Sequence, residues 1–188
     1  MANSFISMVY AAVKAAGNDI EDMTPSEAIE IFNGLSDEDK LREEERERHG
    51  GKKLTPAEKI ASVHIDFDRD NLLPELNESE LEKIGKKDSK PVLLKKNVID
   101  RNRTRHDDLT DSDFEQIIAK ALYSPSEVFP ANKEKPYFHF AKIIEVNSKG
   151  KPEIGLVLLD VDDHKDNFEI VHAQFIRQRS YKAIKKKV

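Results

Sequence analysis

The chain has 188 residues, 38% hydrophobic and 36% charged, with a formal net charge of −5 and neither cysteine nor tryptophan. That length holds one domain of ordinary size, or a small domain with an appendage. The lack of cysteine excludes disulfides, thiolate metal sites and a cysteine nucleophile, and fits a reducing, cytoplasmic setting. No run of about 18 apolar residues occurs, so no membrane-spanning helix is expected. The first 17 residues are partly apolar but lack a basic flank and a cleavage site, and make a poor signal peptide.

Charge divides the chain. Residues 1–76 hold 9 Lys+Arg against 17 Asp+Glu, a net of −8, and residues 77–188 hold 22 against 19, a net of +3. We expect an acidic helical region over 1–76, a polar linker over 77–90 and a basic domain over 91–188.

In chain order, Met1–Ala16 carries Phe5, Ile6, Met8, Val9 and Val13 near helical spacing. Thr24-Pro25-Ser26-Glu27 and Thr55-Pro56-Ala57-Glu58 are capping boxes with proline in the first turn. Between them, Ser36–Asp39 opens a segment that runs through Arg48 with almost no apolar face, as in a solvated or partner-bound helix. Asp66, Asp68 and Asp70 alternate as in a calcium loop. The sixth and twelfth positions are Asn71 and Asn77, however, where glycine and glutamate are needed, so the segment reads as a solvated loop. Asn77–Ile84 is a short helix closed by Gly85, Pro91–Leu94 a short strand and Val98–Arg105 a basic helix. Thr110 caps the best amphipathic helix, Asp111–Tyr123. Three strands follow at Tyr137–Val146, Ile154–Val161 and Phe168–Ile176, with a turn at Asn147–Gly150, and a basic tail runs from Arg177. Phe168, Ile170, His172 and Ile176 alternate onto one face of the last strand. The expected fold is α+β: a helical first part, then a small antiparallel meander packed against a helix.

No phosphate-binding glycine loop, His-Glu-x-x-His motif or nucleophile elbow occurs. What remains in the second part is a set of histidines and cations: Lys95, Lys96, Arg101, Arg103, Arg105, His106, His139, Lys142, His172, Arg177 and Arg179. These residue types suit RNA cleavage without a metal or other cofactor. The reaction needs a base for the 2′-hydroxyl proton, an acid for the leaving oxygen and a cation for the phosphorane, roles that histidine and arginine fill. Each also has a plainer reading, as packing for His172, as a surface turn for Arg105-His106 and as a solvated chain end for Arg177 and Arg179.

The succession Val92–Ile99, Arg103–Thr110, Ala121–Val128, Phe138-His139-Phe140, Val157–Asp160 and Glu169–His172 resembles the phage-borne barnase/EndoU/colicin/RelE-like nuclease domains. Such domains occur in phage head-morphogenesis proteins and in large polyvalent proteins of phages and conjugative elements. The resemblance covers about residues 91–185. It implies an RNA-cleaving α+β domain of phage or mobile-element origin, toxin-like, with His172, His139, Arg105, His106 and Arg177 as catalytic candidates. Lys96, Lys142 and Arg179 become substrate-binding candidates, RNA the partner, and the cytoplasm, a virion or an entered host cell the setting. The alternative is a non-catalytic module that binds protein or nucleic acid, with the acidic helices offering a separate protein-docking surface.

Overall fold

The computed structural model describes residues 2–20, 23–35, 40–41, 53–106, 109–144 and 153–186. Most of the expected polar helix from Ser36 to Arg48 and the turn at 147–150 lie outside the described residues. The chain forms two compact units, Met1–Lys53 and Leu54–Val188. This division falls upstream of the expected linker, because residues 54–90 contribute Ile65, Leu73, Leu76, Leu81 and Ile84 to the core of the second unit.

In the first unit, α1 (Ala2–Ala15) packs on α2 (Pro25–Gly34). Val9 and Val13, one turn apart, meet Ala28 and Phe32, also one turn apart. Thr24 starts α2 through the expected capping box, its hydroxyl accepting from the Glu27 amide while the Glu27 carboxylate accepts from the Thr24 amide. The Tyr10 hydroxyl donates to the Met23 carbonyl at 2.6 Å and ties the loop to α1.

The second unit runs α3 (Pro56–Ser62), β1 (Asn71–Leu73), α4 (Glu78–Lys83), β2 (Val92–Leu94), α5 (Lys96–Arg105), α6 (Asp111–Tyr123), β3 (Glu127–Pro130), β4 (Tyr137–Ile144), β5 (Glu153–Asp160), β6 (Phe168–Ile176) and α7 (Gln178–Lys185). Its sheet has the order β1-β2-β6-β5-β4-β3. Only β2 and β6 pair in parallel among the described strands. The α+β class, the central meander and the covering helix are as expected. The short strand β1 lies where a loop is expected, β3 is a further strand, and the basic tail is helical.

One sheet face carries Phe140, Ile144, Val157, Leu159, Phe168, Ile170 and Ala173 against Phe114, Ile117, Ile118, Ala121 and Leu122 of α6. Tyr123 ends that helix fully buried, its hydroxyl donating to the Pro74 carbonyl at 2.6 Å. The opposite face is smaller. Ala141, Ile154, Leu156 and Ile176 pack there with Phe129 and with Tyr181 and Ile184 of α7. Tyr181 and Lys185 both hydrogen-bond the Glu127 carboxylate, which fastens α7 to β3. Among the described residues no helix is long and apolar enough to cross a membrane.

The underside of α6 lies close over Gly155 of β5. A Cβ on Gly155 would lie 2.9 Å from Ile144 Cδ1 and 3.5 Å from Ile117 Cγ2. Gly155→Val displaces the Ile144 side-chain end and presses its γ-methyls on Ile117, and we expect a loss of about 1–3 kcal/mol, read by chemical denaturation. Unchanged stability would show that α6 does not rest on this contact.

Candidate functional site

The site begins with an irregularity in β6. Along the β5–β6 ladder Leu159 faces Ile170, whereas Leu158 faces His172, so Val171 is an extra residue. A bulge of this kind shifts the side-chain alternation by one. Phe168 and Ile170 point into the core under α6, and beyond the bulge so do Ala173 and Phe175. His172 is consequently turned to the opposite, half-open face with Leu158, not onto the face of Phe168 and Ile170 that strict alternation assigns it. The Val171 carbonyl takes a hydrogen bond from Nη2 of Arg101 on α5. That contact holds α5 beside the bulge and brings His106, at the helix end, onto His172. The two imidazole rings lie 5.3 Å apart between centroids, inclined at 42°.

His172 is half-buried. Burial pushes its pKa below the usual 6.5, the Gln174 side-chain hydrogen bond works against this, and the charges of His106, Arg101 and Arg105 push it down further. The neutral ring is thereby favoured near neutral pH, as a proton acceptor requires. Arg105 is exposed and has no hydrogen-bond or ion-pair partner among the described residues. Arg101 is engaged with Val171, and Arg103 makes a bidentate pair with Asp111 at 2.7–2.8 Å.

The remaining candidates do not join this pair. His139 shares its face and its row, since His139 and His172 both flank Leu158 in register. Two strand spacings, about 10 Å, separate them. The His139 ring packs on Phe129 at 5.1 Å, its Nδ1 is buried without a partner, and burial lowers its pKa. Lys96 lies at the far end of α5, about 15 Å from His106, paired with Asp100 at 2.8 Å. The Lys142 amine donates to the Ser124 hydroxyl at the end of α6, on the core face. Arg177, which starts α7, stands five residues beyond His172 or about 17 Å along the strand, and Arg179 is exposed on α7.

Sequence reasoning missed two features. Asp160 and Glu169 face each other one same-side row from Leu158 and His172. They hold Lys165 at 2.9 and 2.8 Å, and Lys95 approaches Glu169 at 3.0 Å. Hydrogen bonds to Glu169 and Asp160 raise the Lys165 pKa, and the ion pairs lower that of Glu169 against the opposing effect of its burial. Both carboxylates lie within expected strands, and only the register of those strands shows that they face each other. The second feature is Asn102, 1% exposed, with neither amide atom hydrogen-bonded. The alternating aspartates bind the chain itself: Asp66 accepts from the Asp68 amide at 3.0 Å, and Asp70 accepts from the Lys96 amide at 2.6 Å at the start of α5. Among the described residues no group of three or more His, Asp or Glu could hold a metal ion.

The fold and this site define an α+β domain with a mixed sheet, one face filled by a helix and the other half-open around two histidines. Residues 58–188, more than two thirds of the chain, match the family described as large polyvalent protein-associated domain 13, and the chain belongs to that family. The match begins within α3, near the start of the second unit. It bears out the large-polyvalent-protein part of the resemblance and specifies no nuclease. No curated protein and no solved structure matches the chain.

Because the folded state favours neutral His139 and His172, the unfolded chain takes up protons first as pH falls. This contribution to stability is complete above 6.5 and is lost as pH drops below it toward the folded-state values. We expect the Tm to fall between pH 7.5 and 5.5, and His139→Leu to remove part of the fall. Identical profiles for the two proteins would show that His139 is not held neutral.

Proposed function

We propose that residues 54–188 form a metal-independent RNA-cleaving domain of a phage or mobile element, working at His106 and His172. The observation that carries this reading is the contact of the two imidazoles on a half-open sheet face, beside an exposed arginine. Neutral His172 takes the proton of a ribose 2′-hydroxyl as that oxygen attacks phosphorus. His106 supplies a proton to the departing 5′-oxygen, so a 2′,3′-cyclic phosphate and a free 5′-hydroxyl result. Arg105 pairs with the non-bridging phosphate oxygens. Arg177 and Arg179 extend the contact to neighbouring phosphates along α7, with an affinity that falls as salt rises.

A non-catalytic binding module is favoured by one feature: Arg101 and Arg103 are already engaged within the protein. The acidic first part then serves as a separate protein-docking surface or as an antagonist of the basic stretch over residues 77–188.

The test is cleavage of mixed RNA by the full chain in EDTA. We expect cleavage that His172→Ala and His106→Ala each slow by about 100-fold or more, and that His139→Leu retains. Arg101→Met, which unpins α5 without touching RNA, should slow it less and shift the pH profile. Wild-type protein that binds RNA and leaves it intact would establish the binding module instead.

A further inference from the structure

Behind His106, a narrow cleft lies between α5 and the start of α6. Phe67, Ile99 and Phe114 form its apolar walls, with the two phenyl rings 6.1 Å apart between centroids. Asn102 lines it one helical turn before His106. Arg103 and Asp111 are exposed and Asn102 is buried, so the charged pair stands at the mouth and the carboxamide at the inner end. The Arg103 guanidinium lies 4.5 Å from the Phe67 ring centroid and bridges to Asp111, closing the mouth as a strap. With the strap closed the cleft has room for about one water, within about 220 Å³ of space that includes open solvent at the mouth.

A buried carboxamide with both donor and acceptor unfilled is unfavourable, and buried amides are ordinarily paired. Apolar, aromatic walls with one donor–acceptor pair at the inner end and a cation at the mouth match a flat heterocycle carrying a phosphate. Asparagine pairs two-fold with the N6 and N7 edge of adenine. We propose that this cleft is a nucleobase-binding subsite with Asn102 as its reading residue and adenine its best complement. Binding opens the strap, and Arg103 exchanges the Asp111 carboxylate for the nucleotide phosphate. The inference rests on the reading of His106 and His172 as the RNA site only in its orientation, which sets the base beside the phosphate they act on.

The experiment is an NMR titration of the full chain with adenosine, cytidine, guanosine and uridine 5′-monophosphates, which requires no cleavage. Adenosine monophosphate is expected to shift the Asn102 side-chain signals. Asn102→Leu, which removes the orphaned amide and should raise the Tm, is expected to weaken binding at least ten-fold. Asp111→Asn, which loosens the strap, is expected to tighten it. Equal affinity in wild type and Asn102→Leu, or no shift at Asn102 with any of the four, overturns the subsite and indicates a water-filled cleft. RNA cleaved while no mononucleotide touches Asn102 overturns the subsite and leaves the catalytic reading standing. Adenosine monophosphate bound at Asn102 with RNA left intact upholds the subsite and overturns the catalytic reading.

Discussion

Val171 is the residue on which the site depends. One extra residue in β6 moves His172 from the face buried under α6 to the half-open one. Its carbonyl is satisfied by a side chain from another element, Arg101. A single hydrogen bond therefore couples the strand irregularity to the placement of α5, and through α5 to that of His106. Without the bulge, His172 would lie among Phe168 and Ile170, and His106 would have no ring to meet.

The two faces of the sheet divide the work. The face under α6 is apolar and closely packed. Even Lys142 on that face carries its amine out to the helix end at Ser124. The opposite face is covered at one end by α7, through Tyr181, Ile184 and the Glu127 contacts. Its other end is left to His172, Leu158, His139 and the Asp160–Lys165–Glu169 network. That network ties the turn between β5 and β6 to the strands and, through Lys95, to the end of β2. The scaffold around the histidines is thus held by charged contacts on one side and by α5 on the other.

Much of this was legible in the sequence because it is local. The capping boxes at Thr24 and Thr55 and the cap at Thr110 start helices where they are read. The 3.6-residue spacing from Phe114 to Leu122 marks the helix that fills the core. Alternation marks the three long strands and places His139 opposite Phe138 and Phe140. What local pattern does not carry is register. The bulge at Val171 has no sequence signature of its own, so strict alternation sets His172 on the wrong face. The strands β1 and β3 are too short to alternate, and they exist because longer strands offer them partners. The clustering of Asn102 with Phe67 and Asp111, and of Asp160 with Glu169, comes from tertiary packing alone. Of the expected site, only Arg105, His106 and His172 meet. Lys96, Lys142, His139 and Arg177 are dispersed by strand spacing, helix length and the choice of face.

Membership of this family places the second unit among domains named for association with large polyvalent proteins. The most direct test of the site is a histidine imidazole NMR titration of the full chain with a short RNA whose 2′-hydroxyls are methylated to prevent cleavage. The account predicts that the His106 and His172 ring signals shift together at the same RNA concentration while those of His139, beneath Phe129, stay in place. RNA binding that leaves both signals unmoved would contradict it.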